Sequence, residues 1–168
     1  MIHGLSVYNN ILLPYDGSNP SDKAFDYAVK FADNIKNNMR VTLLYVIPEI
    51  HLPPSYDYGL KLPSVKTSKE YLKEIYQNIR SDALNMLEQK RSEFESRVME
   101  SSRVTLSIQV LYGRHNAAET ILEFANKEES DLIIIGSIGL GGFSKIKALG
   151  SVSRRVAERA RCPVMIVH

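Results

Sequence analysis

Residues 131–167 read DLIIIGSIGLGGFSKIKALGSVSRRVAERARCPVMIV. Two short apolar runs, LIIIG at 132–136 and PVMIV at 163–167, flank a glycine-rich segment and a stretch of helical period from about Ser151 to Arg161. A buried strand, a helical crossing and a second buried strand make one unit of a parallel sheet, because strands pointing the same way need a long connection between them.

The same alternation continues toward the N-terminus. Ile11–Tyr15 in NILLPYD reads as a first strand that stops at Asp16 and Gly17. The following helix is predicted with Asn19 as N-cap and Pro20 in its first turn, burying Ala24, Ala28, Phe31 or Ala32, and Ile35. Val41–Ile47 (VTLLYVI) is apolar almost throughout, as a strand covered on both faces should be, and Pro48 ends it. Thr67 and Glu70 have capping-box spacing ahead of a long stripe running from Leu72 to Val98. At about 1.5 Å per residue this helix would rise roughly 45 Å, so a break or a projecting end is expected. Val104–Leu111 is a third strand, and Asn116 with Glu119 repeats the cap pattern before Ala118, Ile121, Leu122 and Ala125. The expected fold is α/β: one domain over residues 1–168, a doubly wound five-stranded parallel sheet with helices on both faces. Residues 49–66 carry three prolines and little periodicity, and read as a surface excursion.

Composition narrows the partners. With 168 residues, 44% hydrophobic, the chain suits one domain with a real core. A net charge of +2, with no dense Lys/Arg run, argues against nucleic acid or a membrane surface as partner. Cys162 is the sole cysteine, which fits a reducing interior and packing. Neither a secretory leader nor an apolar run of about 18 residues is evident, so a cytoplasmic location is expected. His3, His51, His115 and His168 are isolated, and no G-x-S-x-G is present. No catalytic or metal-binding residue is assigned on that basis.

The glycine-rich segment holds the main functional signal. Gly136 and Gly139 follow a buried strand, while Gly150, Ser151 and Ser153 precede a helix. That order gathers main-chain N–H groups, a positive helix end and serine hydroxyls in one place, where an anion would be favoured. Glycine would admit close approach of phosphate and supply positive φ for a nest of amides. Strand-to-helix loops also use glycine simply to turn, and spacing alone leaves both readings open. There is no G-x4-G-K-[ST], nor a dinucleotide fingerprint after an early strand.

The segment resembles the universal stress protein family, whose nucleotide-binding members carry G-x2-G-x9-G-[S/T] after the fourth strand. Here G-S-I-G (136–139) and G-S-V-S (150–153) match the two ends, while I-L-L-P-Y-D-G-S, L-L-Y-V-I and the closing G-S-V-S-R-R-V-A-E-R-A-R-C-P-V-M-I-V match the family's first strand, second strand and ending. Ten residues, Leu140 to Leu149, separate Gly139 from Gly150 where the family has nine; a bulge among Gly141, Gly142 and their neighbours would absorb the extra one. The resemblance implies strand order 3-2-1-4-5, with ATP, ADP or AMP between the ends of strands one and four, and Mg2+ bound only through the phosphates. It also implies that Asp16 holds the ribose hydroxyls and Val46 meets adenine through its backbone. Pro14 and Ile135 would wall the base, and Gly136, Gly139, Gly150, Ser151, Val152 and Ser153 would surround the phosphates. Lys145 and Lys147 read as solvated loop charges. The expected role is ATP-binding regulation in a stress response, any hydrolysis being slow or conditional. The apolar C-terminal strand, at a sheet edge, would pair with its copy in a homodimer. Two alternatives are a dimeric interaction module of the same family without nucleotide, and a slow ATPase or phosphotransferase.

Overall fold

A computed structural model describes residues 8–34, 38–51, 68–98, 103–113, 116–140 and 149–168. Five strands, β1 (Asn10–Pro14), β2 (Met39–Ile47), β3 (Val104–Tyr112), β4 (Leu132–Gly136) and β5 (Val164–Val167), form one parallel sheet in the order β3-β2-β1-β4-β5. The helices are α1 (Asn19–Asn34), α2 (Ser68–Arg97), α3 (Ala117–Lys127) and α4 (Ser151–Arg159). The fold class is as the sequence predicts, and the strand order is as the family resemblance implies.

Strand alternation divides the core in two. Ile11, Leu13, Val41, Leu43, Leu132 and Ile134 pack with Ala24, Phe25, Ala28 and Val29 of α1 and with Ala83, Leu87 and Phe94 of α2. On the opposite face, Leu12, Leu44, Ile133 and Ile135 pack with Ala118, Ile121, Leu122 and Ala125 of α3 and Val156 of α4. The central strands have apolar residues on both faces because both faces are covered.

Two local expectations change. The cap of α1 is Ser18, not Asn19: its hydroxyl accepts from the Ser21 N–H at 3.3 Å and its carbonyl from the Asp22 N–H at 2.9 Å. This moves Pro20 one position further into the first turn, where its missing N–H still costs no helical bond. Helix α2 runs its 30 residues without a break. Among its described side chains none before Ala83 is fully buried, and Tyr76 and Ile79 touch the core only as partly buried groups, so the first half lies at the margin of the core rather than interrupting the helix. At α3 the Asn116 side chain accepts from the Glu119 N–H at 2.9 Å, as the sequence predicts.

Expectations at His3, Ile35, Thr67, His115, Lys145, Lys147, most of the 49–66 excursion and the bulge at 141–148 lie outside the described residues.

Candidate functional site

The topological switch lies between β1 and β4, and Pro14 explains why the sheet opens there. Asn10 O accepts from Asp131 N–H and Tyr15 N–H donates to Leu44 O, so even-numbered residues of β1 direct their main-chain groups toward β4 and odd ones toward β2. Pro14 is therefore due to donate to β4 and has no N–H. The β1–β2 ladder runs for five pairs, but β1 pairs with β4 only at Ile11↔Leu132 and Leu12↔Ile133. Beyond that point the two strands part.

A cavity of about 610 Å³ occupies the gap. Pro14, Asp16, Val46, Ile135, Gly136, Gly139, Gly150, Ser151, Val152 and Ser153 all line it, so residues from four distant parts of the chain meet at one place. Sequence reasoning passed over Tyr15, Ser18, Ser21, Leu44, Tyr45, Pro48, Ala117, Ile121, Ile138 and Leu140, which line it too. Of these, Ile121 was already in the apolar stripe of α3, but the stripe could not show that its outer end walls a cavity.

Val46 offers its backbone for a simple reason. Ile47 O accepts from Gly113 N–H on the β3 side, and Leu44 O accepts from Tyr15 N–H on the β1 side. By the same alternation the main-chain groups of Val46 face the side that β1 has vacated. Asp16 sits across the opening, its Oδ1 accepting from Ser18 N–H at 3.0 Å and its Oδ2 from Leu140 N–H at 3.1 Å. It thus serves both as the turn aspartate of α1 and as the tie between the β1 and β4 loops.

The expected amide nest is revised. Gly17 is the only described glycine with positive φ, so Gly136, Gly139 and Gly150 form no nest of that type. A Cβ on Gly136 would lie 2.8 Å from Pro20 C and Ser21 N, which makes this glycine a requirement of packing against α1. Gly150 N–H donates to Ser137 O at 2.8 Å, and the buried Ser153 hydroxyl donates to the same carbonyl at 2.7 Å. Neither donor faces the cavity unpaired. What remains is the first turn of α4, which carries no side-chain cap. The N–H groups of Ser151, Val152 and Ser153, which precede the first helical bond from Arg154 N–H to Gly150 O, give that end its positive character.

Beneath the cavity, α1 and α2 are joined by charge. The Tyr15 hydroxyl donates to Asp22 Oδ1 at 2.5 Å, and Lys90 Nζ lies 2.9 Å from both Asp22 and Glu93. Burial, reinforced by Asp22, pushes the Tyr15 phenol far above its usual range. Burial alone would raise the Asp22 carboxyl, but the Tyr15 and Lys90 hydrogen bonds hold it below the ordinary carboxylate value. No set of three or more metal-ligating side chains occurs among the described residues.

The sequence model of the family described as "Universal stress protein family" matches residues 7–168. The chain belongs to the universal stress protein family. It is 28% identical to universal stress protein YxiE of Bacillus subtilis, covering 96% of this chain and all of that protein. Identity to universal stress protein MJ0531 of Methanocaldococcus jannaschii is 30%, over 98% of this chain and 85% of the relative. Among solved structures, universal stress protein UspA from Lactobacillus plantarum superposes with a TM-score of 0.75 at 26% identity, covering 96% of this chain and 98% of that one. The same fold recurs at 16% identity and a TM-score of 0.58 in an Arabidopsis thaliana family protein solved with AMP bound, covering 95% and 90% of the two chains.

Within the described residues of this universal stress protein, no helix is long and apolar enough to cross a membrane.

Proposed function

We propose that the chain is a regulatory stress-response protein that binds an adenine nucleotide, ATP, ADP or AMP, between the ends of β1 and β4. One observation carries this reading: a single apolar-walled cavity is lined by both Asp16 and the uncapped first turn of α4. The base fits between Pro14, Val46 and Ile135, the ribose diol donates to Asp16, and the phosphates meet the N–H groups of Ser151 to Ser153. Gly150 and Ser153 hold that turn in place through Ser137. Binding alone can shift a population between conformations, so regulation needs no turnover. A metal would enter through the phosphates, because the described residues offer it no ligand cluster. The AMP complex of the Arabidopsis relative supports the choice of ligand.

The decisive experiment is to denature freshly purified protein, identify released nucleotide by mass spectrometry, and titrate the emptied protein with ATP, ADP and AMP by calorimetry. Saturable binding near one per chain is expected. No released nucleotide and no saturable binding would reject the reading.

A second reading, a dimeric interaction module without nucleotide, draws on the engagement of Gly150 N–H and the Ser153 hydroxyl by the protein's own carbonyl. It would be favoured if glycine-to-valine changes at 139 and 150 left every partner interaction intact. Dimerisation itself is supported by β5, which among the described residues pairs with β4 alone. Pro163 O and Val167 O accept from β4-side amides, so the N–H groups of Val164 and Ile166 face the outer edge. Light scattering should give twice the monomer mass.

A further inference from the structure

The cavity does not end at α4. Ser151 and Val152, which line it, also line a second cavity of about 600 Å³ at the same helical turn. That second space is bounded by Asn116, Leu149, Arg154, Arg155 and Glu158. A ligand with its base against Val46 and its first phosphate at the α4 amides would therefore carry any further phosphates across this turn and into the second space.

Arg154 is suited to meet them. It is exposed, and its guanidinium makes no ion pair or hydrogen bond among the described residues. Arg155 and Arg159, by contrast, both pair with Glu119. Side chains on a helix lean toward its N-terminus and meet residues three and four positions earlier, which brings Arg154 back to Gly150 and Ser151. Glu158, one turn further on, is the acidic group that shares this space, and it sits farther from the helix end.

We infer that Arg154 reads the length of the phosphate tail, so that the site prefers nucleoside di- and triphosphates over monophosphates. This rests on the proposed nucleotide site.

Calorimetry with AMP, ADP and ATP, without divalent metal and at low salt, tests it on the wild type, Arg154→Gln and Arg159→Gln. The wild type should bind ATP about five- to tenfold more tightly than AMP, as a solvated guanidinium adds to binding of a highly charged tail. Arg154→Gln should remove most of that ratio while leaving AMP affinity in place. Arg159→Gln, which deletes the same charge further along α4 at a residue that lines neither cavity, should keep the ratio. Equal wild-type affinities for AMP and ATP would overturn the inference and leave the nucleotide site standing, as would a ratio unchanged in Arg154→Gln or lowered equally in both variants. Failure of all three nucleotides to bind the wild type would overturn both.

Discussion

A side chain at position 139 would place its Cβ 2.6 Å from Asp16 Oδ2. The glycine is needed because the carboxylate is there. Gly139→Ala should push Asp16 off its two backbone donors, costing about 1–3 kcal/mol of stability as a small overpacking does, together with most nucleotide affinity. Urea unfolding and calorimetry read the two effects. An alanine variant as stable as the parent would show that the loop yields without moving Asp16.

Asp16→Ala leaves the amides of Ser18 and Leu140 without their acceptor, for about 1 kcal/mol of stability at this half-exposed site. Its sharper signature is a cycle with 2′-deoxy-AMP. If Asp16 grips the diol, removing the 2′-hydroxyl should weaken binding to the wild type and do nothing further in the variant. Equal losses in both proteins would place the ribose elsewhere.

Ser153→Ala tests the anchoring of α4. The hydroxyl is buried and donates to Ser137 O at 2.7 Å, a carbonyl that keeps only the Gly150 amide once the hydroxyl is gone. Stability should fall by about 1–2 kcal/mol, measured as a shift in the urea midpoint at unchanged slope.

The Lys90 cluster sets the response to acid. Lys90 and Arg97 hold the Glu93 carboxyl below its usual range against partial burial, and Asp22 is depressed as well, with burial opposing its hydrogen bonds to Tyr15 and Lys90. A carboxyl whose pKa is lower folded than unfolded adds stability above its unfolded value, and that stability is lost as pH falls through the folded value. Urea midpoints should therefore hold from neutrality to about pH 5 and decline below about pH 4. In Lys90→Met the decline should be shallower, because both carboxyls move back toward their unfolded values. An identical acid limb in both proteins would remove Lys90 from this role.

The strands, the helices and the parallel α/β class were legible because apolar runs, helix stripes and the Asn116 cap are local signals, whereas strand order and the location of the cavity came from the family resemblance. The ten candidate residues converge because a doubly wound sheet brings the C-terminal ends of its strands to one edge. Other features depend on partners distant in sequence. Ser153 looks like a ligand donor until the Ser137 carbonyl, sixteen positions away, is seen to accept its hydrogen bond. Gly136 looks like a phosphate glycine until the backbone of Pro20 and Ser21 is placed beside it. Ser18 and Asn19 are both good cap residues, and only the direction of the Ser21 and Asp22 amides chooses between them. The Tyr15–Asp22–Lys90 link joins the β1–α1 turn to α1 and α2, which no periodicity announces.

The ring nitrogen of Pro14 acts as a stop in a zipper. An ordinary amino acid there would supply the missing rung and let β4 close along β1 toward Ile135, shrinking the aperture from inside the sheet. The doorway is thus set by one absent hydrogen atom, so Pro14→Ala should tighten the architecture while hindering entry.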